Sequence, residues 1–207
     1  MEDKISILHE ILKTRATCEN EGNYLLFHGT NTLFSEIDLG KTSVTSDFGG
    51  GFYLTNILEQ AVEWAGKKRR IQFDGDLSVW EYLKSAYVLK YELSFDELKK
   101  YNMNMKVFAG YDREWLDAIL LGRRHLDKDD REVEDVSNLL SEYDIIAGPM
   151  ADNNLNAKLN KYARHPYDRN ILLDEIKMVK ENYQIVFKTK KSLNALKELN
   201  KFSYMTF

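Results

Sequence analysis

The sequence reads as a single α+β domain, and three observations carry that reading. Apolar residues recur at helical spacing near the start, between 57 and 65, and between 115 and 120. Short β-branched and aromatic runs stand between them, at 24–27, 87–93, 143–149 and 183–187. The two kinds alternate without a regular βαβ rhythm, which argues against a doubly wound parallel sheet. The 207 residues suit one domain, and 43% apolar with 30% charged residues is a composition that builds a core.

Each element follows from local pattern. Ile5, Leu8, His9, Ile11 and Leu12 predict an amphipathic helix in an N-terminal segment, 1–20. Residues 24–27 predict a buried strand that ends in His28-Gly29-Thr30. A polar stretch to Ser46 leads into Asp47-Phe48-Gly49-Gly50-Gly51-Phe52-Tyr53-Leu54-Thr55. Asn56 with Glu59 three residues on predicts a capping box. The helix it opens carries Ile57, Leu58, Ala61, Val62 and Ala65 on one side. Residues 67–84 break the pattern and predict an insertion. Alternation over 87–93 predicts a half-buried strand. Asp112 predicts the cap of a helix with Trp115, Leu116, Ile119 and Leu120 inward. Residues 127–134 read as a charged loop or exposed helix, and 143–149 as a strand closing on Gly148-Pro149. A helix over 171–179, a strand over 183–187 and a closing helix over 192–199 complete the chain.

Composition excludes several functions. The formal net charge is -4, whereas binding through nucleic-acid phosphates favours a basic surplus. The run Lys67-Lys68-Arg69-Arg70 reads as a solvated helix end, where cations suit the macrodipole. The lone Cys18 excludes an internal disulfide and a cysteine zinc cluster. His9, His125 and His165 are too scattered for a metal site, so no metal is expected. The chain shows neither a signal-peptide pattern at its start nor an apolar run of membrane length, so the expected location is the cytoplasm, without a membrane partner.

Three separated pieces carry chemistry. His28 at a strand end can hydrogen-bond a ligand hydroxyl, and Gly29 lets a ligand approach backbone N–H and C=O. The glycine run ending at Gly51 clears side chains from before the aromatic pair Phe52-Tyr53. No Lys-Ser/Thr follows it and it lacks the G-x-G-x-x-G spacing, which disfavours a P-loop or Rossmann site. In Gln60-Ala61-Val62-Glu63-Trp64-Ala65, Trp64 lies beside the apolar helix face, positioned to give a second aromatic wall opposite Tyr53.

Together these pieces resemble the His-Tyr-Glu branch of the ADP-ribosyltransferases, which includes the poly(ADP-ribose) polymerases. The nearer likeness is to an uncharacterised bacterial family of that superfamily, linked to toxin–antitoxin and phage-defence loci. Its members carry Asp-Phe-Gly-x-Gly-Phe-Tyr-x-Thr, Gln-Ala-x-x-Trp-Ala, a Trp-Leu-Asp helix, Tyr-Asp-Ile-Ile-x-Gly-Pro-x-Ala-Asp and a late Gln-Ile-Val-Phe strand. This chain has each, the last three at 115–117, 143–152 and 184–187. The resemblance spans about 24–199. It implies two facing, mostly antiparallel sheets around an NAD cleft, with peripheral helices.

It also implies roles. His28 bonds the ribose next to nicotinamide, the Gly29 backbone holds the carboxamide, Tyr53 and Trp64 sandwich the ring, and Thr30 and Ser46 line the pocket. NAD is then a substrate, cleaved with transfer of ADP-ribose to a macromolecular acceptor. The acidic balance tilts that acceptor toward protein over nucleic acid. A toxin or defence effector held by a small antitoxin is the implied setting.

One departure matters. The superfamily places a glutamate at the start of a late strand, where its charge supports the oxocarbenium-like transition state, as in glycoside hydrolysis. Here Gln184 takes that place. A unit charge at ~4 Å is worth roughly 4 kcal/mol at an effective dielectric near 20. Its loss could slow cleavage about a thousandfold. Either the enzyme is slow, or Asp152 or Glu181 substitutes, or the domain binds NAD without turnover. NAD glycohydrolysis, with water as acceptor, is a further alternative. The Gln184→Glu change would test the silent alternative by restoring the charge. Arg123, at a helix end, is a minority candidate for phosphate binding.

Overall fold

A computed structural model describes residues 2–13, 18–20, 23–72, 86–123, 140–151, 154–164, 168–177 and 182–203. The elements are α1 (Glu2–Lys13), β1 (Cys18–Asn20), β2 (Asn23–Thr30), β3 (Phe52–Leu54), α2 (Leu58–Gln72), β4 (Tyr87–Ser94), α3 (Phe95–Lys100) and β5 (Met105–Val107). After them come α4 (Arg113–Gly122), β6 (Ile145–Pro149), α5 (Leu155–Arg164), α6 (Arg169–Ile176), β7 (Tyr183–Phe187), α7 (Lys190–Leu193) and β8 (Leu196–Ser203).

The class is α+β. One four-stranded sheet runs β1-β2-β4-β8 and the other β3-β7-β6-β5. All described pairings are antiparallel except β5 with β6. The main core lies between the sheets. Leu26, Leu89 and Tyr91 of the first meet Phe52, Leu54, Ile185 and Phe187 of the second, and Ile5, Leu8 and Leu12 of α1 close it. The far face of the second sheet packs Val186 and Ile146 beneath Trp115, Ile119, Leu159 and Leu172 of α4–α6. The far face of the first sheet packs Leu25, Phe27 and Val88 beneath Ala61 of α2. β2 is thus covered on both faces, which is why 24–27 reads as an unbroken apolar run rather than an alternation.

Several sequence expectations stand. β2, α2, β4, β6, β7 and the Asp112 cap, whose Oδ1 accepts from the Trp115 N–H at 2.7 Å, occur where predicted. The first helix does too but ends at Lys13, and 18–20, expected within the N-terminal helix segment, is the strand β1. Others change. The capping box at Asn56 does not form: its Oδ1 is buried without a partner among the described residues, and the Thr55 hydroxyl takes the Ile57 N–H. The break in pattern expected at 67 does not end α2, which runs on to Gln72. Residues 73–84 and 127–134 lie outside the described residues. The closing helix over 192–199 is corrected to the short α7, capped by Thr189, followed by β8. β8 pairs with β4 along its length, and that open edge outweighs the weak helical spacing of Ser192, Ala195 and Leu199. No helix among the described residues is long and apolar enough to cross a membrane.

Candidate functional site

The site begins where the two sheets part. β2 and β3 exchange backbone hydrogen bonds at one pair: Phe27 N–H to Thr55 C=O at 2.7 Å and Thr55 N–H to Phe27 C=O at 3.0 Å. Continued in register, Gly29 would pair with Tyr53. Instead the Tyr53 carbonyl accepts the His28 Nδ1–H at 2.7 Å. Backbone polar groups alternate in direction along a strand, so those of Gly29 point to the same edge as those of Phe27, away from β4. Among the described residues no strand pairs with β2 there. One amide donor and one acceptor therefore face the gap between the sheets.

His28 is fixed in one tautomer. Its Nδ1 faces a carbonyl, which only accepts, so Nε2 keeps its lone pair. The ring lies 4.5 Å from Phe52 and 6.1 Å from Phe34, centroid to centroid. Burial, then the charge of Lys68, bring its pKa down to about 3, against the opposing bond to Tyr53. The imidazole is neutral through the physiological range, and Nε2 makes no hydrogen bond among the described residues.

Tyr53 is held at its far end. Its hydroxyl donates to the Gly49 carbonyl at 2.8 Å and accepts the Phe48 N–H at 2.9 Å. Burial, then the neighbouring Asp47 charge, raise its pKa, so the phenol stays protonated. Lys188 Nζ donates to the Phe48 carbonyl at 2.7 Å, and the Thr42 hydroxyl accepts the Gly51 N–H at 3.0 Å. Gly51 has φ +152, and a Cβ there would overlap Val186 Cγ2. The approach that requires glycine at this position is thus that of β7. The Ser46 side chain lies against the phenol. What Tyr53 can offer a ligand is the face of a half-buried ring.

The opposite wall is α2. A Cβ on Gly29 would overlap the Ala61 carbonyl and the Ala65 amide, so helix backbone and strand backbone touch. Beside this contact Trp64 is 44% exposed. Lys67 Nζ stands 5.3 Å from its ring centroid. One turn further along α2, Lys68 is half-buried, and the Asn31 amide donates to its carbonyl at 3.4 Å. Burial lowers its ammonium pKa, and it has no carboxylate partner among the described residues.

Gln184 does not stand alone. Its Nε2 donates to Asp47 Oδ2 at 2.7 Å, with both residues almost fully buried. Asp47 Oδ1 accepts from Arg123 Nε at 2.8 Å and from its Nη2. Arg123 is therefore committed to Asp47 and, at 3.4 Å, to Asn156. Because Val186 pairs with Tyr53, Gln184 lies on the Tyr53 face of the second sheet. The Thr30 hydroxyl bonds locally to Thr32 and closes the end of β2. Asp152 and Glu181 lie outside the described residues. Sequence reasoning missed Asp47 and Lys68: one was read as part of a glycine motif, the other as part of a solvated cationic run.

Residues 24–198 match the family model described as "Protein of unknown function (DUF3990)". No curated protein matches the chain.

Proposed function

The chain belongs to the DUF3990 family, and on that footing we propose that it is an ADP-ribosyltransferase domain of the His-Tyr-Glu-like branch, with NAD as substrate. The observation that carries this is the parted ladder at Gly29. A primary carboxamide presents one acceptor and one donor on one edge, and the Gly29 backbone turns the complementary pair into the gap. Nicotinamide seated there has the Tyr53 ring on one side and the Trp64 indole on the other. The neutral Nε2 of His28 accepts a ribose hydroxyl. The Lys68 ammonium, half-buried without a carboxylate partner among the described residues, faces the diphosphate.

In the reaction the bond between ribose C1′ and the pyridine nitrogen breaks, and its electron pair leaves with nicotinamide. The ribose passes through an oxocarbenium-like state. A nucleophile on a macromolecular acceptor, protein in preference to nucleic acid, attacks C1′ and gives up its proton to solvent. The Gln184 amide supplies dipole rather than charge to this state, which favours slow turnover. A toxin or defence role under a small antitoxin rests on the motif resemblance.

The test is incubation of the protein with NAD and quantitation of free nicotinamide. We expect release above the protein-free background, abolished by His28→Ala. Absence of both release and NAD binding would overturn the proposal. The uncharged Gln184 favours one second reading, a module that binds NAD without cleaving it; binding with no release identifies it. Intact-mass detection of ADP-ribose on acceptors separates transfer from glycohydrolysis.

A further inference from the structure

We infer that Asp47 is a positioning residue that turns the Gln184 carbonyl oxygen toward the ribose of the substrate. This rests on the NAD reading above. A carboxylate only accepts hydrogen bonds, so the amide end that meets Asp47 Oδ2 at 2.7 Å must be the NH2 group. The amide flip is thus fixed by chemistry. Asp47 itself cannot turn, because its other oxygen holds Arg123. Gln184 Oε1 is left without a hydrogen bond among the described residues, and it is not sealed in the core. It is the negative end of the amide dipole, on the Tyr53 face, and the Asp47 charge polarises it through the shared hydrogen bond.

This arrangement explains why an amide stands where a carboxylate is expected. A carboxylate in place of the Gln184 amide would face Asp47 across the same short distance, with Arg123 able to neutralise one of the two. Like charges so placed share a proton. Among the described residues, the charged and titratable groups around Gln184 are Asp47, Arg123, the Tyr53 phenol beside Asp47, which stays protonated, and the Lys188 ammonium, whose pKa burial brings down to about 8 and which wild type and variant share. A pH limb that Gln184→Glu shows and wild type lacks therefore belongs to the pair that Asp47 forms with the introduced carboxylate.

The experiment compares kcat and KM for nicotinamide release across about pH 5.5 to 8.5 for wild type, Gln184→Glu and Asp47→Asn. Gln184→Glu should match wild type where the pair holds a proton, then rise in kcat by up to about tenfold per pH unit as the pair loses it and the introduced charge reaches the oxocarbenium-like state, with KM within about twofold. Wild type should lack that limb. Asp47→Asn lets the amide present either end, and kcat should fall about tenfold or more at nearly constant KM. Asp47→Asn strands Arg123 and can fail to fold, but Gln184→Glu carries the test without it. If wild type releases nicotinamide and Gln184→Glu runs parallel to it across the whole pH range, the positioning role falls and the NAD reading stands. If wild type releases none, both fall.

Discussion

The two walls of the site are built on opposite plans. Around the glycine loop nearly every polar group is already bonded within the protein. The Tyr53 hydroxyl, Lys188, Arg123 and the Gln184 NH2 group all end on atoms of residues 47–49. Across the gap, the Gly29 backbone, the His28 Nε2 and the Lys68 ammonium have no such partners among the described residues, and the indole of Trp64 is almost half exposed. Buried polar groups that are satisfied hold a shape, whereas unsatisfied ones at an opening await a ligand. The first wall should therefore answer to mutation in stability, and the second in binding.

The place where the walls join breaks that division most severely. Gly29→Ala drives a methyl into the Ala61 carbonyl and the Ala65 amide, both backbone atoms that cannot swing aside. We expect a loss of about 3 kcal/mol or more, or displacement of α2, because overpacking against backbone sits at the top of its usual range. Chemical denaturation measures it. A loss below about 0.5 kcal/mol, the range of a neutral surface change, would show that α2 is not seated on β2 as described.

Within the bonded wall, Arg123→Met leaves Asp47 7% exposed and uncompensated. About 2–3 kcal/mol should be lost, somewhat under the range for fully buried pairs because Arg123 itself reaches solvent. The same measurement on Arg123→Met combined with Asp47→Asn should show part of the loss recovered, because the stranded charge is then gone. An equal loss with and without the Asp47 charge would separate the destabilisation from it.

The division also explains what could be read from sequence. His28, Gly29, Tyr53 and Trp64 were legible because each sits in a local motif. The α+β class was legible because buried strands and amphipathic helices have distinct periods. Asp47 gains its role from a contact across 76 residues, to Arg123, and Lys68 from its charge acting on His28 between α2 and β2 on one wall. No local pattern records such contacts. β8 was hidden for a related reason: its strand form is set by the open edge of β4 rather than by its own residues.

On the open wall, Trp64→Ala sharpens the comparison. The indole is 44% exposed, so stability should change by about 1 kcal/mol or less. If the proposed NAD reading holds, KM for NAD should rise about tenfold, the scale of one lost aromatic stacking partner. Calorimetric titration with NAD beside a denaturation curve checks both. A large stability loss with unchanged KM would move Trp64 into the structural wall.

The last comparison is of pH, and its sign separates the walls at His28, which touches both. The folded imidazole titrates near 3 because burial first, and the Lys68 charge second, disfavour its protonated form. An unfolded histidine titrates near 6.5. Between these values the unfolded chain binds a proton that the folded chain does not, so stability falls as pH drops from 6.5 toward 3 and is unaffected by His28 above that window. In the proposed NAD reading the neutral form accepts a ribose hydroxyl, so nicotinamide release should show no limb near pH 6.5. Lys68→Met should leave the profile flat, because burial is the larger cause. A wild-type limb at 6.5 that vanished in His28→Gln would mean that the imidazole reaches solvent, and the parted ladder would then be open to water rather than shaped for an amide.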